Sequence, residues 1–64
     1  MSEIHASAII GKQVEFGANN TIGPNVIIED GVKLGSNNTI LAGAFIARGT
    51  ELGDHNTIHM NAVI

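Results

Sequence analysis

The stretch that decides the fold is Asn20-Thr21-Ile22-Gly23-Pro24-Asn25-Val26-Ile27-Ile28-Glu29-Asp30-Gly31-Val32-Lys33-Leu34-Gly35-Ser36-Asn37-Asn38-Thr39-Ile40. Ile22, Ile28, Leu34 and Ile40 follow one another at intervals of six, and the triplet Asn-Thr-Ile that opens the stretch also closes it. Followed outward, the spacing holds at Ile4, Ile10, Phe16, Ile46, Leu52, Ile58 and Ile64, eleven large apolar residues in all without a break. An α-helix would show an apolar period of about 3.6, and a simple hairpin strand a period of two. A strict period of six predicts a parallel β-helix, in which each hexapeptide supplies one short strand and one turn.

Two further columns agree with this reading. Two residues before each large position stands a smaller one: Ser2, Ala8, Val14, Asn20, Val26, Val32, Asn38, Ala44, Thr50, Asn56 and Ala62. Residues two apart on a strand point to the same face, so each repeat sends one small and one bulky side chain inward. Three residues after each bulky position comes a turn residue: Ser7, Gln13, Asn19, Asn25, Gly31, Asn37, Gly43, Gly49, His55 and Asn61. Seven of these ten are Asn or Gly, the types that enter the left-handed backbone region at least cost.

The triplet recurs once more as Asn56-Thr57-Ile58, so the longer period is eighteen residues, or three hexapeptides. One coil is then three strands, and the expected fold is all-β: a three-sided parallel prism of about three and a half coils, rising roughly 4.8 Å per coil. Asn20, Asn38 and Asn56 fall in one inward column near a corner and predict a structural Asn ladder of stacked amides.

Length and composition narrow the possibilities. Residues 1–64 make one domain, close to the minimum of three repeats for a stacked architecture. With no cysteine in the chain there is no disulfide to staple so small a core, and association is the expected source of extra stability. No Cys/His cluster has zinc spacing, so no metal and no cofactor is expected. A net charge of −3, with Lys12, Lys33 and Arg48 scattered, argues against nucleic acid. No apolar run approaches the ~20 residues of a membrane span, and the start Met-Ser-Glu-Ile-His has no signal-peptide character. A soluble cytoplasmic protein without membrane contact is the expectation.

The outward positions distinguish the three faces. Glu3, Thr21, Thr39 and Thr57 form a polar strip, while Glu15, Lys33 and Glu51 form an alternating-charge ladder. Ile9, Ile27, Phe45 and Val63 form a column that is apolar in every coil and points away from the core. Such a column on a soluble protein marks an interface, so these four residues are the expected oligomer contact.

The residues at this point carry a family resemblance. The hexapeptide pattern resembles the hexapeptide-repeat acyltransferase superfamily, which implies a left-handed β-helix and parallel homotrimers. Within it, Ile4-His-Ala-Ser-Ala-Ile-Ile-Gly11 and Phe16-Gly-Ala-Asn-Asn-Thr-Ile-Gly-Pro-Asn25 resemble the opening coils of the UDP-N-acetylglucosamine acyltransferases of lipid A synthesis. That family moves a fatty acyl chain from acyl carrier protein to a sugar nucleotide, and acyl carrier protein is an expected partner only if that activity holds. Its catalytic histidine belongs to a later coil, in a phrase whose nearest match here is Asn61-Ala62-Val63-Ile64. No catalytic residue is therefore carried over.

The histidines are the remaining candidates for chemistry. His55 occupies the turn column of Asn19 and Asn37, and His5 lies near the start. His59 follows Ile58 at a corner leading to the apolar face, where a trimer would place it near a subunit boundary. Imidazole changes charge near neutral pH, which suits a general base, but a solvated or interface-packing histidine explains the position as well. His59 is thus the one weak catalytic candidate. Three functions stay open: a self-associating structural module; an acyltransferase with an inter-subunit site; and ice or surface binding by the Asn/Thr strip. The open ends of the prism further predict that trimers stack end to end.

Overall fold

A computed structural model describes residues 2–64. It contains ten two-residue strands at six-residue intervals: β1 Glu3–Ile4, β2 Ile9–Ile10, β3 Glu15–Phe16, β4 Thr21–Ile22, β5 Ile27–Ile28, β6 Lys33–Leu34, β7 Thr39–Ile40, β8 Phe45–Ile46, β9 Glu51–Leu52 and β10 Thr57–Ile58. They sort into three parallel sheets, β1-β4-β7-β10, β2-β5-β8 and β3-β6-β9. Val63 extends the second sheet through a parallel bridge to Phe45. Every pairing joins residues eighteen apart, as in Thr21↔Thr39, Ile27↔Phe45 and Lys33↔Glu51. The expected all-β, three-sided solenoid is the observed one, with no helix among the described residues.

The core is the inward half of the pattern. Ile22, Ile28, Leu34, Ile40, Ile46 and Ile58 are buried, with Val26, Val32 and Ala44 filling the small positions between them. Burying one such side chain contributes about 1.5–3 kcal/mol. Burial fades along the axis: Ile22 to Ile46 are covered by a coil on each side, whereas Ile4 and Ile64 are 45% and 41% exposed.

The turns bond against the direction of the strands. Strand N–H groups donate forward to the following coil, as in Thr21 N–H to the Asn38 carbonyl at 2.8 Å. Turn N–H groups donate backward, as in Gly31 to the Lys12 carbonyl at 2.9 Å and Asn37 to the Ala18 carbonyl at 2.9 Å. Nine of the ten turn-column residues have positive φ, six of them without being glycine. Ser7 departs from this pattern. Its N–H donates to His5 Nδ1 at 3.1 Å, and its Oγ accepts the Asn25 N–H at 2.9 Å. In the first turn a hydroxyl thus takes the place of the backbone carbonyl used elsewhere.

Asn20, Asn38 and Asn56 are linked from coil to coil, but not as the expected stack of side-chain amides. Asn20 Oδ1 accepts the Asn38 N–H, and Asn38 Oδ1 accepts the Asn56 N–H, each at 2.9 Å. The amide nitrogens reach sideways instead, Asn20 Nδ2 to the Gly35 carbonyl and Asn38 Nδ2 to the Gly53 carbonyl, again at 2.9 Å. Asn20 and Asn38 are 1% exposed, so each must satisfy both ends of its amide inside the protein. Backbone groups near the corner provide the partners, the Gly35 carbonyl accepting the Gly17 N–H as well at 3.1 Å. The Asn column therefore closes the corner rather than forming a stack of its own.

Candidate self-association face and flanking corner

The apolar column lies on the sheet β2-β5-β8. Registers Ile9↔Ile27 and Ile27↔Phe45, with the Phe45↔Val63 bridge, place the four side chains one above another. Inward neighbours Ile28 and Ile46 are buried, so strand alternation sends the four outward. Ile9 is 63% exposed and Val63 77%, Ile27 lies just inside the exposed range, and Phe45 is half-buried. Met60, at the corner before Val63, adds another exposed apolar side chain.

The opposite edge of the face is charged. A shallow cleft of about 220 Å³ runs along it, lined by Ile9, Gly11, Ile27, Ile28, Glu29, Asp30 and Arg48. Its floor is apolar and its rim is polar. Glu29 Oε1 accepts the Arg48 N–H at 3.1 Å, and Asp30 Oδ1 accepts the Lys12 N–H at 2.8 Å. Each carboxylate thus uses one oxygen to fasten a neighbouring turn. Gly11 makes this close stacking possible: a Cβ there would lie 2.7 Å from the Asp30 nitrogen. The periodic reading missed this edge, although its signal was legible as the column Lys12, Asp30, Arg48.

The remaining candidates are scattered. His59 is exposed at the corner beside the apolar face, and its carbonyl accepts the Ala62 N–H at 3.2 Å. His55 is a turn residue with φ 60° whose N–H donates to the Ser36 carbonyl at 3.0 Å. His5 lies within 2.9 Å of Ser7 Oγ through Nδ1. That pair resembles a nucleophile and base, but Ser7 Oγ already accepts the Asn25 N–H, and the contact locks a turn. A shallow trough of about 320 Å³ lies beside it, lined by Glu3, Ile4, His5, Thr21, Ile22 and Gly23. No group of three or more His, Cys, Asp or Glu side chains could hold a metal among the described residues. Thr21, Thr39 and Thr57 are aligned on the sheet β1-β4-β7-β10, apart from every histidine except those at its edges.

Comparison with known families agrees with the solenoid. The sequence profile of the bacterial transferase hexapeptide family (six repeats) matches residues 7–42 and again residues 31–64. The chain belongs to that family. Membership supports the left-handed sense of winding that the family resemblance implies. No curated protein and no solved structure matches the chain at a significant level. No helix among the described residues is long and apolar enough to cross a membrane.

Proposed function

We propose that this hexapeptide-repeat chain is a self-associating structural module that presents a rigid prism to copies of itself. The observation that carries this reading is the unbroken outward column Ile9, Ile27, Phe45 and Val63, where the other two sheets turn Thr, Glu and Lys outward. An apolar surface of this kind on a soluble protein is ordinarily covered. Four side chains of this size contribute at most about 6–12 kcal/mol per chain when removed from water. A stack of two-residue strands in a chain of 64 residues has little core to spare, and association supplies the missing burial. Sedimentation across a concentration series is the test. A mass that rises above the 6.7 kDa of one chain supports the reading, and a monomer persisting to millimolar concentration overturns it.

A second reading is acyl transfer of the kind carried out by the UDP-N-acetylglucosamine acyltransferases, with acyl carrier protein as donor. The observation in its favour is His59, exposed at the corner where a neighbouring copy would close a cleft. An acyl-transfer assay on a sugar nucleotide separates it from the first reading. Loss of turnover in His59→Ala, with assembly intact, would establish it.

A further inference from the structure

The first turn is held by a side chain where later turns at the same corner use backbone. His5 Nδ1 accepts the Ser7 N–H at 3.1 Å and lies 2.9 Å from Ser7 Oγ, and that hydroxyl accepts the Asn25 N–H at 2.9 Å. The imidazole thus stands at the head of a chain of contacts that ties the first coil to the second. One and two coils further on, Gly43 and Asn61 donate their N–H groups to the Pro24 and Ala42 carbonyls of the preceding coil. Asn61 also stands two residues after a histidine, His59, and still uses the backbone carbonyl. Spacing alone therefore does not create the contact at His5; the Ser7 hydroxyl is what distinguishes that turn.

These contacts fix the protonation state of the ring. A backbone N–H can only donate, so Nδ1 must accept from Ser7 and carries no proton. Oγ accepts from Asn25, which leaves its own proton for the same nitrogen. The single ring proton is therefore on Nε2. Imidazole is the side chain that gains a second proton close to neutral pH, and here that proton has to go on Nδ1. An acceptor then becomes a donor that faces the Ser7 N–H. The hydroxyl can turn and accept from the new Nδ1–H, but the Ser7 N–H is left without a partner. Glu3 is the one charged side chain that lines the adjoining trough with His5, whose other walls are Ile4, Thr21, Ile22 and Gly23. The facing turn, Gly23-Pro24-Asn25, brings no titratable group. The Glu3 carboxylate favours the charged ring.

We infer that His5 and Ser7 form an acid-sensitive latch, which holds the first coil on the second while the imidazole is neutral and releases it on protonation. The strand beside the latch has little else to hold it. β1 meets β4 over two residues, Glu3↔Thr21 and Ile4↔Ile22, and both residues of β1 are exposed. Segments with few buried contacts are the ones that open locally without global unfolding. Release lets β1 and its turn fray, and this uncovers Ile22, which is 2% exposed with the latch closed.

The test is amide hydrogen exchange on the whole chain by NMR, read as protection after correction for the intrinsic effect of pH. From about pH 7.5 to about pH 5, across the range where imidazole charges, protection of the Ser7 and Asn25 N–H groups falls. The fall is about tenfold, as expected for the loss of one or two hydrogen bonds, while Gly43 and Asn61 at the same corner hold theirs. His5→Asn puts an amide oxygen where Nδ1 stands, able to accept the Ser7 N–H as in an Asx-turn and unable to gain a proton. In that variant, checked for folding by circular dichroism, protection of Ser7 and Asn25 stays constant with pH. His55 and His59 are still present in it, so their titration is controlled for. Glu3→Gln moves the release to lower pH. The imidazole nitrogen shifts of the wild type give a second measurement that needs no variant: near neutral pH, Nδ1 is bare and Nε2 carries the proton. A proton found on Nδ1 there overturns the inference. So does protection at Ser7 that ignores pH, or that falls equally in His5→Asn.

Discussion

The sheets β1-β4-β7-β10 and β2-β5-β8 share the same bulky inward position and have opposite exteriors. Ile22 and Ile40 on the first are as deeply buried as Ile28 and Ile46 on the second, and all four sit in the same step of the hexapeptide. One residue earlier, the first sheet shows Thr21, Thr39 and Thr57 to the outside, and the second shows Ile27, Phe45 and Val63. Threonine and isoleucine share β-branching and suit an extended backbone equally. The exterior residue is therefore free to vary without cost to the strand, and its identity reports what the face meets. Between the two sheets lies a second contrast: the buried small inward position is Asn on the first and Val or Ala on the second.

The largest effect is expected where that inward difference is removed. Asn38→Ala leaves the Asn56 N–H and the Gly53 carbonyl without their 2.9 Å partners. An orphaned buried group costs about 1–3 kcal/mol, and with Asn56 half-buried and Gly53 exposed each of these stands toward the low end. Together they approach the total stability of a small domain, about 0.05–0.15 kcal/mol per residue. Chemical denaturation should show a loss of about 2 kcal/mol or outright unfolding. A loss below 1 kcal/mol would mean that water replaces the amide and that the ladder is dispensable.

The outward difference should affect assembly and leave the fold alone. Ile27→Glu with Phe45→Glu places like charges wherever two such faces meet and should abolish association, with the circular dichroism spectrum unchanged. Thr21→Glu with Thr39→Glu, the same chemistry on the other sheet, should leave the sedimenting mass as it was. Equal effects from the two pairs would show that neither face is privileged. The converse graft, Thr21→Ile with Thr39→Phe, gives the first sheet the exterior of the second. A second association surface follows, and scattering should reveal masses above that of the wild type. Strictly wild-type behaviour would show that an apolar column is not sufficient to drive contact.

The sequence and the structure part company at particular residues. The period of six made every strand legible, because the inward positions are under one constraint repeated in each coil. Nine of the ten turn-column residues take the positive φ that the Asn/Gly column announced, Gln13 and His55 among them. Ser7 does not: its N–H donates to the His5 imidazole, whereas Asn61, which also has a histidine two residues earlier, donates to the Ala42 carbonyl of the preceding coil. The Asn column was legible as buried and polar, but its partners were not. They are carbonyls of Gly35 and Gly53, fifteen residues away in sequence, and only the turn geometry brings them near. The apolar column was legible residue by residue. The charged cleft beside it was written in the sequence as the column Lys12, Asp30 and Arg48 next to Glu29, but the apolar column drew the reading away from it.

The smallest effect is expected at a turn. His55 has φ 60°, like Asn19 at 60° and Asn37 at 61° in the same column. The left-handed region costs an ordinary L-residue about 1–2 kcal/mol, and Asn less, because its short side chain bonds to the local backbone. The His55 N–H already donates to the Ser36 carbonyl in the manner of the other turns, so no backbone bond depends on the imidazole. His55→Asn should therefore stabilise the chain by about 0.5 kcal/mol. His55→Gly relieves the same strain but loosens the unfolded chain by about 0.4–1 kcal/mol, so its net gain is smaller. A β-branched residue has no such escape, and His55→Val should be the least stable of the series. Denaturation midpoints in the order Asn, Gly, His, Val agree with a turn position and nothing more. If His55→Asn instead lowers stability by 1 kcal/mol or more, the imidazole holds a contact of its own, and the residue is more than a substitute for asparagine.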